Sequence, residues 1–296
     1  MRIALSDIEC LVSSRRTNSP PLQQMEKVCS GREVARRNET AVTAAVAKFG
    51  HLRAAEIASA VWPHAARGEQ MAQRTCRRLL ALKYLARRRN ALGGVSYMLT
   101  TTGANHLSLL GYSAHNTLEL SSVTGATFSH RTLGTRFLIE KQNRKFEVAG
   151  EYEILKQRVP FSIKSLEQML KKKPDGLAWK RVGRDGFEFE WVEVENAAKS
   201  KLELMKMLTV AQRAGLAIDT RRSVFLSKLT IVFDSTYAHA NRILRAADEL
   251  WGHLPSQKRA EYERKVSLNA VHLSLPLRWH KYTTESLHEY RQRIST

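Results

Sequence analysis

Residues 174–195 read PDGLAWKRVGRDGFEFEWVEVE, and this stretch decides how the second half of the chain folds. Two β-prone runs flank Val182-Gly183-Arg184-Asp185-Gly186-Phe187, which suits a three-residue hairpin loop with Gly186 in the left-handed position. With that loop, paired positions place Trp179 opposite Trp191, Lys180 opposite Glu190 and Asp175 opposite Glu195, with Glu193 diagonal to Asp175. Aromatic meets aromatic, cation meets anion, and three carboxylates share one face of the sheet. Carboxylates crowded in this way repel unless something positive neutralises them, so Asp175 and Glu193 are candidate ligands of a hard divalent cation, Mg²⁺ or Mn²⁺. A solvated acidic hairpin end is the plainer alternative. Lys171, Lys172 and Lys173 just before the hairpin, and Lys199, Lys201 and Lys206 after it, could supply charge for backbone phosphates. His130 and His239 show no metal-ligand spacing and read as ordinary surface or core residues.

Around the hairpin the order is helix (RTLGTRFLIEKQNRKF), strand (EVAGEYEILK), the two hairpin strands, helix (AAKSKLELMKMLTVAQRAG), strand (LTIVFD), helix (ANRILRAADELWGHL) and a closing strand (KVSLNAVHLSLPL). That order predicts an α/β domain with a mixed sheet over 128–296. Upstream, ETAVTAAVAKFG, LRAAEIASAVW and GEQMAQRTCRRLLALKYL are three helical patterns, followed by two short strands around Asn-Ala-Leu-Gly-Gly. Three helices and a hairpin are the winged-helix order, expected over 39–110. Residues 1–38 read as an extension and the Ser/Thr-rich 111–127 as a linker.

The 296 residues carry 48 Lys and Arg against 28 acids, a formal charge of +20. Residues 1–126 hold 17 basic and 8 acidic side chains, and the remainder 31 and 20. Both domains are therefore basic, which points to a polyanionic partner. The excess is densest over 67–89, where eight bases accompany one acid. Arg74, Arg77 and Arg78 fall on one side of the third helix, opposite Cys76 and Leu79, and Arg87, Arg88 and Arg89 open the hairpin. A cationic helix beside a cationic wing is suited to double-stranded DNA. Cys10, Cys29 and Cys76 form no CxxC pair, which argues against a zinc knuckle or a disulfide framework and for a reducing, cytoplasmic setting. No run approaches the roughly 18 apolar residues of a membrane span.

Together, LLALKYLARRR, GGVSYMLTTTGANHL, SHRTLGTRFLI, KPDGLAWK, FEWVEVENAAKSKLELMKM and LTIVFDS resemble, in that order, the plasmid replication-relaxation family from about Thr43 to Leu275. The resemblance implies a winged helix fused to a PD-(D/E)xK nuclease-like domain. Asp175 then matches the first acid of the nuclease pattern and Glu193 the second, which implies metal binding. Glu195 stands where active nucleases of this type carry a lysine, and Lys199 or Lys201 would have to replace it. Asp175, Glu193, Glu195 and Lys199 are thus the catalytic candidates. The implied function is an accessory DNA-binding protein of plasmid or mobile-element transfer or replication, with a relaxase or other transfer protein as partner. Two alternatives remain at this stage: a Mg²⁺-dependent endonuclease, and a winged-helix transcriptional regulator acting as a homodimer.

Overall fold

A computed structural model describes residues 30–90, 94–118, 125–195, 199–219, 223–235, 239–274 and 278–295. Most of the expected N-terminal extension, and residues 119–124 of the expected linker, lie outside them. The chain is mixed α/β with a mixed sheet.

The first helix, α1 (Gly31–Phe49), starts eight residues earlier than the sequence pattern suggested. The Ser30 hydroxyl accepts from the Glu33 amide while the Glu33 carboxylate accepts from the Ser30 amide, a reciprocal cap that satisfies two otherwise orphaned N–H groups. The first turns are mostly exposed, so they show no apolar period; burial begins near Val42. After β1 (His51–Leu52) come α2 (Ala54–Val61), α3 (Gly68–Ala81), the hairpin of β2 (Leu85–Arg89) and β3 (Val95–Leu99), and α4 (Thr101–Leu109). The small sheet runs β1-β3-β2, all antiparallel. Ala72, Cys76 and Leu79 of α3 are buried, at the i, i+4, i+7 spacing of a core-facing stripe.

The larger unit begins with α5 (Gly125–Asn143) and β4 (Glu147–Gly150). The strand expected to continue through Lys156 stops at Gly150, which caps α6 (Glu151–Leu155). Glu151 and Glu153 in that helix's first turn favour its positive end. There follow α7 (Lys164–Leu170), β5 (Gly176–Val182), β6 (Gly186–Glu195), α8 (Lys201–Leu208), β7 (Ala217–Asp219), β8 (Val224–Asp234), α9 (His239–Trp251), α10 (Ser256–Arg264), β9 (Val266–Ser274), β10 (Arg278–Ser286) and α11 (Leu287–Ser295). The expected α8 helix is shorter than its pattern and passes into a 3-10 turn at Thr209–Arg213. The order across the sheet is β10-β9-β8-β6-β5-β4, with β7 paired to β8. Strands β6, β8 and β9 are parallel neighbours, and the other pairs are antiparallel.

Helices cover both faces of this sheet, which explains why β6 is buried along nearly its whole length. On one face Leu177, Phe189, Trp191, Leu229 and Ile231 pack with Leu166, Leu208, Ile243 and Trp251. On the other, Ala178, Val192 and Val232 meet Phe137 and Leu138 of α5, and the same apolar cluster continues into Phe49, Leu52 and Ile57. The N-terminal unit therefore shares a core with the sheet instead of closing one of its own. Arg136 of α5 adds polar ties to it through the Ser59 hydroxyl (3.0 Å) and the Ala55 carbonyl (3.3 Å).

The β5–β6 hairpin forms, but in a different register. Gly183 takes the left-handed conformation (φ 63°), not Gly186. Gly186 instead opens β6 opposite Val182, where an added Cβ would come 2.5 Å from the Val182 carbonyl oxygen. Trp179 consequently pairs with Phe189, Lys180 with Glu188 and Ala178 with Glu190. The expected Trp179–Trp191, Lys180–Glu190 and Asp175–Glu195 pairs are not made. Because the pairing differs by an even step, each side chain keeps the face that the alternation assigned to it.

Candidate carboxylate centre and cationic surface

Three glutamates of β6 are buried, and the pleat divides them between two faces. Glu190 lies on the α5 side, where Lys141 Nζ reaches both of its oxygens at 2.8 Å and the Thr230 hydroxyl donates to Oε2 at 2.9 Å. Glu193 and Glu195, each 1% exposed, follow Trp191 on the opposite face. Their burial rules out the solvated hairpin end.

Asp175, one residue before β5, joins them across the hairpin. Its amide donates to the Val192 carbonyl (3.1 Å), its Oδ2 accepts from the Val194 amide (2.8 Å), and its Oδ1 is 3.1 Å from His130 Nε2. Glu193 Oε1 accepts from the Trp191 indole at 2.7 Å. Glu193 Oε2 takes a short ion pair from Lys172, with Lys199 Nζ at 3.9 Å. Lys199 lies closer to Glu195, 2.9 Å from Oε2, and donates to the Val194 carbonyl at 3.3 Å. On the other side of Glu195, His239 Nδ1 is 4.0 Å from Oε1. Neither Glu195 oxygen accepts an aligned hydrogen bond.

These contacts set the charge states. Burial pushes Glu193 above the ordinary carboxylate range, and the nearby Asp175 charge adds to it. Burial also pushes Asp175 upward, but the hydrogen bond and charge of His130, with Lys172 and the Val194 amide, outweigh it and hold Asp175 low. Lys172 is raised: its desolvation is overcome by Glu193 and Asp175. Burial lowers His239 despite the pull of Glu195.

The structure thus brings Asp175, Glu193, Glu195 and Lys199 together, as the sequence reading expected. Of Lys199 and Lys201, Lys199 is the one that enters the centre. Lys201 points elsewhere and pairs with Glu249 at 2.6 Å. His130 and His239, set aside in the sequence, flank the centre; each is distant in sequence from its carboxylate, so no local spacing could reveal it. Lys171, Lys172 and Lys173 are all exposed, and Lys172, expected to be free for phosphates, is bound to Glu193.

A divalent cation does not fit between Asp175 and Glu193 as these side chains stand. All four of their oxygens already face a donor, and the one nearest the other carboxylates' lysines holds an ammonium. Among the described residues, no group of three or more His, Cys, Asp or Glu side chains is arranged to hold a metal ion. Beside Asp175 opens a cavity of about 220 Å³, lined by basic groups such as His130 and Arg131, by Glu151 and by apolar side chains including Phe49 and Leu138.

No family model, curated protein or solved structure matches the chain.

The second candidate region is the exposed side of the N-terminal unit. Arg74, Arg77 and Arg78 are exposed on α3, on the side away from buried Cys76 and Leu79, and Arg87, Arg88 and Arg89 are exposed on β2. Arg78 pairs with Glu39 at 2.8 Å and remains 57% exposed. No helix among the described residues is long and apolar enough to cross a membrane.

Proposed function

We propose that the chain is a duplex-DNA-binding protein that grips the phosphate backbone with α3 and the β2–β3 hairpin. In this reading α1–α3 and the small sheet form a winged helix, α3 enters the major groove and the hairpin is its wing. The sheet unit is of the nuclease-like type, with its hydrolytic chemistry replaced by internal ion pairs. The resemblance to the replication-relaxation family adds the setting: an accessory protein of plasmid or mobile-element transfer or replication, acting beside a relaxase.

One observation carries the proposal. Six arginines stand exposed on adjoining elements, and only Arg78 among them is paired with an acid in the described structure. Exposed cations not neutralised by an acid of their own chain are available to neutralise phosphates and release counterions. The buried carboxylates supply the complementary support, since their charge is matched by Lys172 and Lys199 and leaves little to activate a water.

The test is the salt dependence of duplex binding. Changing Arg88 and Arg89 to Ala should flatten the log–log slope of affinity against salt by about one to two units. Unchanged slope and affinity would remove the hairpin from the interface. Metal-dependent nicking of supercoiled plasmid by the wild-type protein would replace this reading with an endonuclease.

A further inference from the structure

We propose that Lys172 is a built-in counter-cation: its ammonium, seated on Glu193 beside Asp175, holds the place a divalent metal would take and keeps Mg²⁺ and Mn²⁺ out of this centre. The inference concerns the carboxylate centre that the proposed function treats as non-hydrolytic, but it does not depend on DNA binding.

Two carboxylates can be enough for a hard metal. Mg²⁺ commonly takes one or two carboxylates and fills the rest of its shell with water and phosphate. Asp175 lies close enough to Glu193 for its charge to disfavour ionisation of Glu193. Glu195 is 1% exposed next to them, and neither of its oxygens accepts an aligned hydrogen bond. Such a buried anion calls for positive charge, and the chain supplies it as two ammonium groups, Lys172 on Glu193 and Lys199 on Glu195. An ammonium is a compact point charge able to fill a small cation site.

The backbone fixes Lys172 in position. Helix α7 ends with Lys171 in the left-handed conformation (φ 49°), and the Lys172 amide donates back to the Glu167 carbonyl at 3.3 Å. Lys171, Lys172 and Lys173 are all exposed residues, but of the three it is the Lys172 ammonium that meets a buried carboxylate in the described structure. Its side chain is still 40% exposed, which leaves room for replacement without opening the core.

Mn²⁺ alone is the probe, titrated into the full chain by calorimetry. Wild type should show no saturable binding up to roughly millimolar Mn²⁺. Lys172→Gln should gain a site at least about tenfold tighter, and Glu193→Gln in that background should lose it again. Lys172→Arg, which keeps the charge, should behave as wild type. Equal Mn²⁺ binding by wild type and Lys172→Gln would overturn the proposal, as would the lack of any gain in a folded Lys172→Gln protein. A second measurement needs no variant: amine acetylation of wild type, followed by mass spectrometry, should modify Lys172 more slowly than Lys171 and Lys173, with or without Mn²⁺. Equal reactivity of the three, or a Lys172 unmasked by Mn²⁺, would overturn it equally. Failure here would leave the arginine surface and its salt dependence untouched.

Discussion

The arginine surface of α3 and β2 and the carboxylate centre of β5 and β6 treat charge in opposite ways. The arginines stand in solvent with one acidic partner among them in the described structure, at Glu39. The glutamates are buried and each is matched by a lysine: Lys141 at Glu190, Lys172 at Glu193, Lys199 at Glu195. An exposed charge costs little to leave unpaired and can take its partner from solution. A buried one must find a partner in its own chain or not be ionised. On the proposed reading, the first region meets a polyanion and the second holds itself together.

The largest effect expected from this contrast is on the buried side. Lys141→Ala removes the nearest cation from buried Glu190, leaving it the Thr230 hydroxyl and Lys228 at 3.5 Å, and should cost about 3 kcal/mol in urea unfolding. A loss below about 1 kcal/mol would mean that burial does not impose pairing here.

Next in size is a pH effect at His51, whose ring is tilted against that of Phe128 with centroids 5.3 Å apart. Burial lowers its pKa to about 4, with Arg131 adding to the shift. The folded protein therefore releases a proton that the unfolded chain keeps below its ordinary value of 6.5. The stability tied to the neutral ring is complete above that value and is lost as pH falls toward about 4. The loss should be on the order of 2–3 kcal/mol, and His51→Gln should flatten the urea midpoint between those limits. An identical pH slope in the variant would contradict the assignment.

The smallest expected effect is on the exposed side. Arg74→Ala with Arg77→Ala should change folding stability by no more than about 0.5 kcal/mol, because neither residue supports the core. A larger loss in urea unfolding would show that these arginines are structural.

The same contrast explains what could be read in the sequence. The cationic face of α3 was legible because helical period alone separates Arg74 and Arg77 from Cys76 and Leu79. The strand alternation put Glu193 and Glu195 on a common face, since face depends on parity, whereas Asp175 lies one residue before β5 and also meets His130 of α5. Their pairing was misread because two glycines bracket the loop, and the choice between Gly183 and Gly186 rests on how closely Gly186 meets the Val182 carbonyl. Burial was not legible, because FEFEWVEVE alternates like a one-sided strand although helices cover both faces. His130, His239 and Lys172 reach the carboxylates only through tertiary packing, and β10 and α11 follow the region that carried the motifs.

The most direct test sets the two regions against each other in one duplex-binding titration over a salt series. Two variants are compared with wild type: Arg74, Arg77, Arg88 and Arg89 changed to Ala, and Asp175→Asn with Glu193→Gln. The arginine variant should lose affinity and reduce the log–log salt slope by about three to four units. The carboxylate variant, checked as folded, should keep both within error. Retained binding by the arginine variant, or loss confined to the carboxylate variant, would contradict the claim that the exposed arginines hold the DNA.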